Sequence, residues 1–228
     1  MFAVGHMAIA YLLGKGSGKL LHVSPNVPLL LVLSILPDLD ILVSPSFHRG
    51  PTHSVIMAII VFLPVLYFYR RKAVPYLLAL ASHAVIADLV IGGDIMLFWP
   101  LSTAKICLPA PFPDISIYSP VNIALEFSLF IVATVVMWKT RDIRTFFHRD
   151  ASNLLLAIPV LTVLLPTFVG YPLRVPPLLV IPHLFYLITF SIAVIFGLLA
   201  IPRLMVKNQP KHEPTTKPTR SAKLAPLS

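Results

Sequence analysis

The sequence predicts an all-α fold: a polytopic integral-membrane helical bundle of about six full spans preceded by a short N-terminal partial helix. Three observations carry this. Of 228 residues, 57% are hydrophobic and 12% are charged, against about 25% charged in soluble domains. Several apolar runs reach or approach the roughly 20 residues that cross a bilayer. The net charge of +9 is gathered in short segments flanking those runs and in the C-terminal tail, a pattern that fits membrane orientation and argues against nucleic acid as a partner.

The elements follow in order. Residues 2–13 make an apolar helix of about 18 Å at 1.5 Å per residue, short of the roughly 30 Å hydrocarbon core. No basic residue precedes it and no small-residue cleavage site follows, so it does not read as a signal peptide. The next run, 27–44, is interrupted by Pro37, Asp38 and Asp40. Pro37 lacks an amide donor and disfavours helical geometry at Leu36, which predicts a break there. Backbone groups freed at membrane depth must face protein or water, so the broken segment points inward. Further spans are predicted at 55–69, 73–91, 118–138, 151–170 and 178–202.

Orientation comes from the basic residues between them. Arg70, Arg71 and Lys72, then Lys139, Arg141, Arg144 and Arg149, then the basic tail after Pro202 all belong to the cytoplasm by the positive-inside rule. Residues 15–26, with Lys15 and Lys19, join them. The chain is thus expected to be a multi-pass protein of the cell membrane, with a membrane domain over 1–206. A basic, disordered cytoplasmic tail is expected over 207–228.

This topology fixes the depth of each polar residue without reference to chemistry. Asp38 and Asp40 lie toward the outer side, followed by an external loop carrying His48, Arg49 and His53. His83 and Asp88 approach the outer surface on a later span, and His6 begins the first helix on that side. Ionisable groups at membrane depth cost roughly 2.5–3.5 kcal/mol on insertion scales, so seven at one level argue for a shared site. With Cys107 the only cysteine, a metal there would have histidine and carboxylate ligands. Those suit a divalent ion, zinc first, with manganese or iron(II) as alternatives. Seven candidates fit either two ions or one ion with hydrogen-bonded partners around it. Arg49 offers a planar bidentate donor for phosphate or carboxylate oxygens. Glu126, sharing a helix face with Asn122 four residues earlier, is a candidate general base or partner of the ligands.

Five stretches also resemble a known family: GHMAIAYLLG at 5–14, LPDLD at 36–40, HRGPTHS at 48–54, SHAVIAD at 82–88 and FWPLS at 98–102. They are similar to the membrane-bound metal-dependent hydrolases related to bacterial YdjM, over roughly the first hundred residues. The resemblance implies His6, Asp38, Asp40, His48, His53, His83 and Asp88 as metal-site residues. The family pattern spaces histidine and aspartate four apart in its third motif, whereas His83 and Asp88 are five apart, about 140° around a regular helix. Three readings follow: the helix is distorted, Asp88 stands outside the ligand set, or Asp94 beyond Gly92 and Gly93 replaces it.

The ligand set is also similar to that of the all-helical zinc-dependent phospholipases C, which implies phosphoester chemistry. The functional expectation is a hydrolase in which metal-activated water attacks a lipid or lipid-linked (phospho)ester at the outer membrane interface. The alternative is a non-catalytic membrane protein, either a metal or proton transporter or a scaffold with a structural polar cluster. Against transport, the sequence shows no internal repeat and its polar cluster is one-sided.

Overall fold

Helix starts follow the caps that the sequence supplies. The side chain of Asn26 accepts from the Leu29 amide and Pro28 sits in the first turn that follows; Ser54 and Ser119 do the same for Met57 and Val121. In a computed structural model that describes residues 1–43, 48–107, 115–171 and 173–202, the helices are α1 (Ala3–Leu20), α2 (Val27–Leu33), α3 (Asp40–Val43) and α4 (Val55–Tyr69). After them come α5 (Val74–Asp88), α6 (Pro120–Lys139), α7 (Ala151–Phe168) and α8 (Pro177–Leu198). The fold is all-helical among the described residues, with two isolated bridges, Ile91 to Ile115 and Ile95 to Ile106, pinning the long α5–α6 connection. The tail expected to be disordered, 207–228, lies outside the described residues.

α1 is the axle of the bundle. It packs against α2, α5, α6 and α8, and Val4, Met7, Ala8 and Tyr11 share a core with Leu31 of α2 and Phe130 of α6. The expectation of a short helix over 2–13 is corrected to one of 18 residues. Its glycine- and lysine-bearing second half is held against α6's end instead of looping out: Tyr11 Oη donates to Asp142 Oδ2 at 2.8 Å, and Lys15 Nζ lies 2.6 Å from the same oxygen.

By length and composition, α6, α7 and α8 can each cross a membrane, and α5 is a shorter apolar helix. Their outward faces carry exposed apolar side chains such as Val121, Val132, Ile181 and Ile188, a surface that a bilayer covers without cost.

The predicted break in the second run is present. α2 ends at Leu33, a 3-10 turn spans Leu36–Leu39, and α3 starts at Asp40. The change of bonding has a local consequence. Asp38 N–H donates to Ile35 O at 3.0 Å, one residue short of the α pattern, which leaves Ser34 O without a helical partner.

Candidate metal centre

Three interruptions of regular helix bring the polar residues together. The first is the turn at Leu36–Leu39, which carries Asp38 and hands on to Asp40. The second is the 3-10 turn Pro51–His53, and the third is a π-helical end to α5 over His83–Asp88. In the π segment Leu89 N–H donates to Ala84 O, five residues back. The wider turn brings positions five apart onto one side, so His83 and Asp88 face the same point. Of the three readings left open by their spacing, helix distortion is the one observed. Asp94, beyond Gly92 and Gly93, belongs to neither donor group.

Four donor atoms converge. His53 Nε2 and His83 Nε2 are 3.1 Å apart. Asp38 Oδ1 lies 3.5 and 3.2 Å from them, and Asp88 Oδ2 lies 3.2 Å from each. A tetrahedral ion with nitrogen and oxygen donors at about 2.0–2.1 Å sets those donors about 3.3 Å apart. The five distances bracket that edge.

Hydrogen bonding around the cluster decides which atoms are available. His83 Nδ1 sits 2.6 Å from Ser34 O, the carbonyl released by the Pro37 break. A carbonyl only accepts, so the network assigns the proton to Nδ1 and leaves a lone pair on Nε2. His53 Nδ1 is met by Thr52 Oγ1 at 3.0 Å and Asp40 Oδ2 at 3.4 Å, freeing its Nε2 likewise. Two lone pairs therefore face two carboxylate oxygens in a nearly closed space. His53, His83 and Asp88 are all buried, and Asp88 Oδ2 has no hydrogen-bond partner among the described residues. Acceptors so gathered repel one another unless a cation lies between them. The residues present fit a divalent ion.

The other three candidates stand around these four. Asp40 is a hub: Oδ1 meets His48 Nδ1 at 2.9 Å, and Oδ2 accepts from Thr52 Oγ1 at 2.5 Å. Asp40, His48 and His53 form a second, overlapping donor group. His6 stacks on His83, ring centroids 4.0 Å apart, and its Nε2 is 3.5 Å from Asp88 Oδ1. It reaches the cluster through Asp88's outer oxygen and is not among the four converging donors. All seven residues meet in one corner of the bundle, partitioned between ligands and their holders.

Arg49 is partly committed. Its guanidinium donates to the carbonyls of Gly92 and Gly93, tying the 48–53 loop to the end of α5. Gly92 has φ +91, and a Cβ there would run into that guanidinium, so glycine is required twice over. Glu126 stands apart from both donor groups. Its two oxygens accept from Phe2 N at 2.9 Å, Gly5 N at 3.0 Å and Asn122 Nδ2 at 2.8 Å, capping the start of α1. In the structure it fixes the helix bearing His6. Gly5 is what lets it approach, since a Cβ there would lie 2.8 Å from Glu126 Cγ. The capping bonds had no sequence signal. Thr52 did have one, standing inside the HRGPTHS stretch. His183 Nε2, outside both donor groups, lies 2.7 Å from Leu164 O.

A cavity of about 370 Å³ adjoins the cluster. Asp38, Asp88, His6, His48 and Arg49 line its polar side, and Ile41, Leu42, Val163, Tyr171 and Leu173 are among the apolar residues on the rest.

A family model, YdjM inner membrane protein, matches residues 1–174. No curated protein and no solved structure matches the chain. The matched stretch contains every residue of the histidine–aspartate corner, and the apolar helices agree with the family's membrane location: the chain belongs to the YdjM inner membrane protein family.

Proposed function

We propose that this protein is an integral-membrane, metal-dependent hydrolase acting on a lipid or lipid-linked phosphoester, with its site at the outer face of a six-span bundle and its C-terminus in the cytoplasm. The observation that carries the reading is the four-donor cluster in the wall of a part-polar, part-apolar cavity. A cluster built only to support the fold would be closed off; here Asp38 and Asp88 border a space large enough for a ligand.

Asp38, His53, His83 and Asp88 would hold the ion, and two nitrogens with two oxygens at tetrahedral spacing favour zinc. When bound, such an ion supplies Lewis acidity and lowers the pKa of water toward about 7. The chain's own groups do the rest. Ser34 O and Asp40 hold the two imidazoles in the tautomer that ligation needs. Arg49, held by the Gly92 and Gly93 carbonyls and lining the cavity, would offer its remaining donors to an anionic ester oxygen there.

The test is elemental analysis of the protein purified without chelator, wild type beside Asp38→Ala, together with phosphoester hydrolysis in detergent. A stoichiometric metal and hydrolysis, both lost in the variant while the fold persists, are the expected results. Metal flux into proteoliposomes without hydrolysis would favour the transporter alternative. Orientation is read separately: exposed Cys107, placed outside, should react with an impermeant maleimide on intact cells.

A further inference from the structure

A second π segment, Val160–Leu164 in α7, lies far in sequence from the histidine–aspartate motifs. It borders the same cavity as the π end of α5. Asp88 comes from one, Thr162 and Val163 from the other. π segments re-aim side chains by widening the turn. Two of them line one cavity: one brings the carboxylate of Asp88, the other Thr162 and the apolar Val163.

Ile41 and Leu42 of α3 add to the apolar lining. At the margin, Leu42 and Tyr171 are 57% and 60% exposed, so the cavity opens between an aliphatic and an aromatic side chain. An aromatic there suits the membrane interface. Among the described residues Arg49 is the only Lys or Arg lining the cavity, and its donors favour an anion. Both ends thus constrain one molecule: an anionic head at Arg49 and the metal cluster, and hydrocarbon between α3 and α7. At about 370 Å³ the space is near the small end of ligand cavities, roughly 300–1,000 Å³, which suits one chain better than two.

We infer that the cavity takes a phosphate ester carrying a single alkyl or prenyl chain, with Val163 and Ile41 selecting for the chain. This rests on the hydrolase reading above. In the reaction, the oxygen of water forms the new bond to phosphorus and the P–O bond to the chain breaks. The chain leaves as its alcohol with one proton of the water, and inorganic phosphate keeps the other.

The test compares decyl phosphate with the short, water-soluble ethyl phosphate, using the full chain in phosphatidylcholine nanodiscs. Val163→Trp and Ile41→Trp each fill the apolar lining from a different helix and leave the four donor residues unchanged. Metal content equal to wild type reports that the site is intact. For either variant, kcat/KM on decyl phosphate should fall at least about tenfold, the worth of roughly two buried methylenes, while that on ethyl phosphate stays within about twofold of wild type. Equal losses on both esters, or no loss on either, would overturn the inference. A binding arm separates its failure from that of the hydrolase reading: decyl phosphate bearing a terminal diazirine should crosslink to α7 in wild type and lose that crosslink in both variants. Crosslinking without turnover would refute hydrolysis and leave the chain site standing. Turnover without crosslinking to α7 would do the reverse.

Discussion

The two halves of this bundle solve the problem of backbone polarity in opposite ways. In the half built from α6 and α8, long helices satisfy their own backbone and present aliphatic side chains outward. In the half built from α2, α3 and α5, helices stop, tighten and widen within a few residues of one another. The irregular half is where the chemistry-bearing groups sit, and the contrast explains why. A regular helix consumes each carbonyl it makes. Breaking the second run at Pro37 released Ser34 O, and that single oxygen sets which nitrogen of His83 faces the cluster.

The contrast can be broken in stages. The largest effect is expected from Asp88→Ala, which removes an oxygen that meets both imidazoles; metal content should fall to background by elemental analysis, and hydrolysis with it. Asp40→Asn keeps shape but weakens the hold on His53 and His48, so metal affinity in a competition titration should drop about 10–100-fold, as for other outer hydrogen-bonding partners of ligands. Glu126→Ala strips three acceptor contacts from the start of α1 and its neighbour. The loss should cost about 1–3 kcal/mol of stability, seen as a lower unfolding midpoint with metal content kept; loss of turnover at full metal content and unchanged midpoint would instead support Glu126 as a base. Deleting Val85, half-exposed in the π segment, should return α5 to regular helix with His83 and Asp88 four apart, and metal affinity should change by less than about tenfold because the two still share a face. The smallest effect belongs to the regular half: Ile188→Ala on the exposed face of α8 should stay within about 0.5 kcal/mol, measured by the same unfolding midpoint.

Much of this was legible in the chain because membrane depth makes polar residues conspicuous. The break at Pro37, the inward turn of Asp38 and Asp40, and the meeting of all seven histidines and aspartates follow from residue type and topology alone. The partition among the seven did not. It depends on a backbone carbonyl at Ser34 and on a π turn whose only trace is a five-residue spacing that fits α geometry poorly. The length of α1 was hidden for a different reason. GKGSGK reads as a loop until Asp142, more than a hundred residues later, supplies the partner for Lys15. The amide partners of Glu126 were hidden because a buried carboxylate looks the same in sequence whether it takes protons or amide hydrogens.

The clamps on α1 carry a consequence for biosynthesis. The helix that bears His6 is made well before the two side chains that clamp its ends, Glu126 and Asp142; Lys15 and Asp142 are 127 residues apart. At about 5–20 residues per second, the leading helix waits on the order of ten seconds in the insertion machinery or the lipid before either anchor arrives. α2 and α5, made earlier, already pack against α1, so what waits for α6 is the cap on its start. A nascent chain arrested before residue 120 would hold every converging donor beside an α1 that is packed but uncapped.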